Sequence, residues 1–217
     1  RLVGSEMCIR DRYIRKGWIN RNRILGTKGK DIYFTVPVEK CPRETPIKDV
    51  KISYNEDWQE KWMGQLTIYK KRAPYYATIM QLVRDVLNCD TQYISEMAIN
   101  SVIKTCQYLG IELNYDVYSK MNLPLFEVEA PDEWALGITR EMKYDTYVNP
   151  PGGKTFFDAN KYKKANIELE FLTQEIQKYN QRIREFVPGL SILDVMMFCT
   201  PEEIRSMMDS YKIEKGE

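Results

Sequence analysis

Two arginines and two asparagines stand beside a tryptophan in Trp18-Ile-Asn-Arg-Asn-Arg-Ile24, immediately ahead of a β-rich stretch. A guanidinium presents a planar fork of donors that suits carboxylate or phosphate, and an asparagine adds a donor and an acceptor. Trp18, Asn20, Arg21, Asn22 and Arg23 therefore read as a grip for an anion or sugar phosphate at a strand entrance. A polar turn with solvated arginines is the plainer alternative on residue types alone.

Asn149-Pro-Pro-Gly-Gly-Lys-Thr155 is the second candidate. It lies between a predicted strand and a predicted helix, where α/β proteins place backbone donors and a helix N-terminus against an anion. Asn149, Gly152, Gly153 and Lys154 would form the cradle. Gly153-Lys-Thr155 is like the end of a P-loop, but the first glycine of that motif falls on Val148, which argues against a Walker-type NTPase. A tight strand-to-helix turn explains the loop as well.

Tyr69-Lys-Lys-Arg-Ala-Pro-Tyr-Tyr76 mixes basic and aromatic residues. It offers Lys71 and Tyr75 to a phosphate or sugar, or is simply a solvated helix end with cations at the C-terminal dipole. Asp194, three residues after the helix-capping Ser191, is the candidate acid, or else a carboxylate stabilising a first helical turn. The 217 residues contain no histidine, so Ser191 has no partner in the chain for a conventional hydrolase triad. Acid–base chemistry within it would fall to Asp, Glu, Lys, Tyr or Cys. No general base is identified.

Composition narrows the class. With 43% hydrophobic and 29% charged residues, the chain can bury a core and is not of the disordered type. A net charge of +1 gives no bulk reason to expect a nucleic-acid partner. No apolar run approaches the roughly 20 residues that span a bilayer. The five cysteines are scattered without CxxC or zinc spacing, so no metal motif is present. Reduced thiols at Cys106 and Cys199 suit a cytoplasmic protein.

The elements that would position these residues follow from periodicity. Residues 32–38 and 47–53 read as strands, and the aromatic-rich residues 56–70 as a helix. A further helix opens at Pro74, and another covers about 91–109, stopped by Gly110. Strands are expected at 112–118, 144–148 and 167–172. Helices are expected near 132–142, after the 150–154 loop and at 191–198, followed by a capping box at Thr200-Pro-Glu-Glu203. The alternation predicts an α/β fold, a largely parallel sheet flanked by helices, with a helical middle segment. Residues 1–12 begin with Arg, show no sustained period, and look like translated adapter sequence, so they are set aside. Cys8 would then be non-native.

Lys16-Gly-Trp-Ile-Asn-Arg-Asn-Arg-Ile24, Phe34-Thr-Val-Pro-Val38, Lys71-Arg-Ala-Pro-Tyr75, Tyr147-Val-Asn-Pro-Pro-Gly-Gly-Lys154 and Phe186-Val-Pro-Gly-Leu-Ser-Ile-Leu-Asp194 together resemble the WbqC-like protein family, in order from about residue 13 to the C-terminus. Each motif is short; their order and spacing make the match specific. Members open with a Gln-Pro…Gly-Tyr strand and turn, a helix and a second strand, so residues 13–217 would be a single domain lacking its first strand–helix–strand unit.

The resemblance implies a bacterial, cytoplasmic role in O-antigen (lipopolysaccharide) or other surface-polysaccharide biosynthesis. It suggests a transferase, with glycine or another aminoacyl group carried to a sugar. The donor would be activated through a nucleotide or acyl link, and the acceptor would be a sugar-nucleotide or lipid-linked sugar. Other polysaccharide-biosynthesis enzymes would be its neighbours. The alternatives are a nucleotidyltransferase-like sugar-activating enzyme, sensitive to EDTA, and a non-catalytic sugar-nucleotide-binding partner of a glycosyltransferase.

Overall fold

The computed structural model describes residues 2–3, 12–124 and 128–216. In chain order the elements are β1 (Leu2–Val3), β2 (Arg21–Leu25), β3 (Asp31–Thr35), α1 (Trp58–Leu66), α2 (Tyr76–Leu87), α3 (Ile94–Leu109), α4 (Pro131–Glu141), β4 (Thr146–Asn149), α5 (Ala159–Lys164), β5 (Glu168–Gln174), α6 (Ile192–Phe198), α7 (Pro201–Met208) and β6 (Tyr211–Lys215). They fall into two compact units. One is helical, from residues 9–115 and 176–209. The other is a sheet unit, from residues 1–8, 116–175 and 210–217.

The expected α/β fold, a largely parallel sheet flanked by helices, is not found among the described residues. Among the described residues helix outweighs strand by 41% to 16%, and the strands form two small sheets. The sheet unit holds four strands in the order β1-β4-β5-β6, parallel across the first two pairs and antiparallel between β5 and β6. β2 and β3 form a separate antiparallel hairpin in the helical unit. The reason lies in which apolar stripes found partners. The helices of residues 58–109 pack on one another, on α6 and on the hairpin, instead of crossing over between parallel strands. Two expected strands also fail. Ile47–Asp49 is a 3-10 turn followed by single bridges to Tyr93 and Val38, and residues 112–117 stay irregular.

The helical unit is built on apolar helix faces. Ile79, Met80, Val83 and Leu87 bury one face of α2, and α3 buries Ile94, Met97 and Leu109 before ending at Gly110. Asp57 caps α1 by accepting from the Glu60 N–H at 2.9 Å. At the start of α7, Thr200 and Glu203 exchange hydrogen bonds at 3.2 and 2.7 Å, the reciprocal box expected from sequence.

In the sheet unit, β4, α5 and β5 make a parallel crossover, an α/β unit of the kind anticipated. Its core is aromatic: Tyr147, Phe157, Tyr162 and Phe171 meet with ring centroids 5.8 to 6.1 Å apart. Most of the segment read as adapter, Cys8 included, lies outside the described residues. Leu2 and Val3 pair in parallel with Tyr147 and Val148.

Candidate functional site

Arg21, Asn22 and Arg23 are strand residues of β2, not a turn at a strand entrance. The register pairs Arg21 with Thr35, Asn22 with Phe34, Arg23 with Tyr33 and Leu25 with Asp31. Side chains alternate across a strand. One face therefore carries Arg21, Arg23, Tyr33 and Asp31, while Ile24 and Phe34 point to the core, where both are buried. Two glycines, Gly26 and Gly29, lie within the five-residue hairpin loop, a hairpin signal carried by the sequence. It would have placed Tyr33 beside the arginines.

Trp18 joins this face. It is 60% exposed and Tyr33 48%, with their rings 6.3 Å apart and inclined by 30°. The Arg21 guanidinium lies 4.7 Å from the Tyr33 ring centroid and 5.6 Å from that of Trp18. The Arg23 guanidinium is 5.9 Å from Trp18. It donates to Asp31 Oδ2 at 3.2 Å and to the Gly189 carbonyl at 2.8 Å. Arg21 makes no ion pair among the described residues, and its Nε is buried without a partner.

The asparagines are inward-looking. Asn20 is buried and donates from Nδ2 to the Val36 carbonyl at 2.8 Å, while Val36 N–H returns a bond to the Asn20 carbonyl at 2.7 Å. Asn22 Oδ1 accepts from the Arg23 N–H at 2.8 Å. Lys71 is exposed, and Tyr75 is half-buried at the entry to α2, its N–H donating to the Met197 carbonyl.

The Arg-rich strand and the 186–194 motif, far apart in the chain, meet here. Ser191 N–H donates to the Arg23 carbonyl at 2.8 Å, and its hydroxyl caps α6 by accepting from Leu193 N–H at 3.3 Å. Gly189 adopts φ +67°, and a Cβ there would stand 3.1 Å from Arg23 Nη2. Glycine thus serves both the left-handed turn and the approach of the arginine. Asp194 is fully buried. Its Oδ1 accepts from Tyr69 Oη at 2.5 Å, and its Oδ2 accepts from Tyr179 Oη at 2.5 Å and Gln181 Nε2 at 2.9 Å. Tyr69 Oη in turn accepts from the Leu25 N–H at 2.8 Å. Burial first, then the neighbouring Asp194, drives both tyrosine pKa values far above their usual range. The hydroxyls accordingly stay protonated and donate. Tyr69, Tyr179 and Gln181 carried no sequence signal for this role, since only tertiary contact joins them.

The second sequence candidate sits in the sheet unit and is largely self-satisfied. Asn149, at the end of β4, is buried; its Oδ1 accepts from Tyr147 Oη at 2.9 Å and its Nδ2 donates to the Pro150 carbonyl at 3.0 Å. Pro151–Gly153 is one 3-10 turn, and a Cβ on Gly153 would collide with Asn149 Nδ2. Gly152 is open to solvent. Lys154 Nζ lies 2.7 Å from Glu214 Oε2 and 5.9 Å from the Phe171 ring, so its charge has a partner within the unit.

Chemically, the hairpin face combines flat, water-exposed rings with a guanidinium that no carboxylate neutralises among the described residues. Rings and guanidinium forks of this kind are the groups that stacking and charge-assisted hydrogen bonding use. Among the described residues, no group of three Cys, Asp or Glu side chains is placed to hold a metal ion, and no helix is long and apolar enough to cross a membrane. The chain belongs to the WbqC-like protein family, whose defining pattern matches residues 9–206. No curated protein and no solved structure matches it.

Proposed function

We propose that this WbqC-like protein acts in the bacterial cytoplasm on precursors of O-antigen or a related surface polysaccharide. It would be a transferase that moves an activated group, glycine or another aminoacyl unit among the candidates, onto a sugar-nucleotide or lipid-linked sugar. The observation that carries this reading is the outward face of the hairpin: Arg21 lies beside the exposed rings of Trp18 and Tyr33, with no carboxylate against it among the described residues. Sugars and bases lie on aromatic rings, and phosphates take guanidinium forks. Arg21 would hold the anionic part of a substrate, and a fixed positive charge beside a reacting acyl group would stabilise a developing oxyanion.

A second reading, a sugar-nucleotide-binding partner without catalysis of its own, is favoured by Asp194. Both of its oxygens are occupied by Tyr69, Tyr179 and Gln181, so it is a brace, not a ready proton acceptor. One experiment separates the two. The full chain is incubated with nucleotide-activated sugars and an aminoacyl donor, and products are read by mass spectrometry alongside calorimetric binding. A modified sugar supports the transferase. Saturable binding without product supports the partner, and absence of both rejects the shared site.

A further inference from the structure

We infer that the two arginines of β2 do different work, and that Arg21 with Trp18 and Tyr33 forms a platform for a nucleoside diphosphate. This rests on the sugar-nucleotide reading above and names the portion of that substrate which the hairpin takes.

Arg23 is spoken for. One guanidinium nitrogen pairs with Asp31, another with the Gly189 carbonyl, and its own carbonyl is held by Ser191 N–H. It is a bracket that joins the hairpin to the segment leading into α6. Arg21 has none of these partners. Its guanidinium lies against two aromatic rings, 4.7 and 5.6 Å from their centroids, and makes no ion pair among the described residues, so its donors are available to an anion.

The rings themselves argue for a flat occupant. Trp18 and Tyr33 are among the large apolar side chains left most open to water, and they stand side by side on the face that carries the guanidinium. Covering them with a planar base removes aromatic surface from water and adds stacking. A ligand that offered only charge would leave the rings exposed. One that offered only a ring would leave Arg21 unpaired. A nucleoside diphosphate offers both, one ribose apart.

The test is calorimetric titration of the full chain with UDP, GDP and ADP, with inorganic pyrophosphate and uridine as part-ligands. At least one nucleoside diphosphate is expected to bind about tenfold or more tighter than either part-ligand. Arg21→Gln and Trp18→Ala should each weaken that binding by about tenfold or more with an unchanged melting temperature, and Arg21→Lys should restore only part of it. Arg23→Gln, in contrast, should lower the melting temperature. The platform is overturned if no nucleoside diphosphate binds, if pyrophosphate binds as tightly, or if both variants keep wild-type affinity. Its fate is separable from that of the transferase: turnover of a lipid-linked sugar without nucleotide binding keeps the enzyme and removes the platform. Nucleotide binding through Arg21 and Trp18 without any turnover does the reverse.

Discussion

Asp194 reaches the core of the helical unit and meets three donors there, one of which also receives the backbone N–H of Leu25. A carboxyl oxygen can only be replaced there by another acceptor. Asp194→Asn turns an amide NH2 toward hydroxyls that already donate, and we expect a loss of about 3 kcal/mol in urea denaturation, the cost of stranding buried partners. An unchanged midpoint would show that Tyr69 and Tyr179 rearrange freely. Gly189→Ala asks an L-residue to hold φ +67° beside Arg23 Nη2. The left-handed penalty of roughly 1–2 kcal/mol should lower the thermal midpoint, and Arg23→Gln in the same background should then cost less than it does alone, because the bracket is already strained. Cys199, pushed up to about 11 by burial and then by Glu203 and Asp194, should react slowly with thiol reagents at neutral pH.

Helix ends give two further expectations. Thr200→Ala removes half of the reciprocal box at the start of α7 and should cost about 1 kcal/mol. At α4 the box is one-sided, since Ala130 has no side-chain acceptor. Glu133 accepts from the Glu129 and Ala130 N–H groups at 2.7 and 3.1 Å, and from Lys161 Nζ at 2.7 Å. Lys161 is the largest cause that brings the Glu133 pKa from 4.5 down to about 2, ahead of the two backbone donors. The Lys161 pKa is raised above 10.5, first by Glu133. A lowered acid stabilises the fold above its unfolded pKa and loses that contribution as pH falls to the folded one; a raised base does so below its unfolded pKa and loses it as pH climbs. Glu133→Gln should therefore lower the melting temperature between about pH 4.5 and 10.5, where both groups are charged. Toward pH 2 the gap to wild type should close. A constant gap at every pH would mean that packing, not charge, is what the variant removes.

The sheet unit draws on three stretches of chain, and its last strand, β6, pairs antiparallel with β5 from Glu170–Lys215 to Gln174–Tyr211. Deleting residues 210–217 should release amide protection along β5 in hydrogen exchange while amides around Asp194, in the other unit, keep theirs. Loss of protection in both would show that the units fold as one. Much of the local structure was legible in the residues. The helices α2 and α3, the Ser191 and Thr200 caps, and the β4–α5–β5 crossover all follow from periods and capping types that act within a few residues. The membership of the chain was also legible, because short motifs in fixed order are a one-dimensional signal. The sheet was not: apolar runs do not say whether they will find strand or helix partners, and 47–53 and 112–118 found no ladder. β6 is five largely exposed residues, with only Tyr211 and Ile213 alternating against charged neighbours, too short a pattern to mark a strand. Sequence placed Arg21 and Arg23 together as equals. Only the fold gave Arg23 to Asp31 and Gly189 and set Arg21 beside two rings, because pairing across a hairpin and contact with a loop some 166 residues away depend on long-range packing that no local pattern encodes.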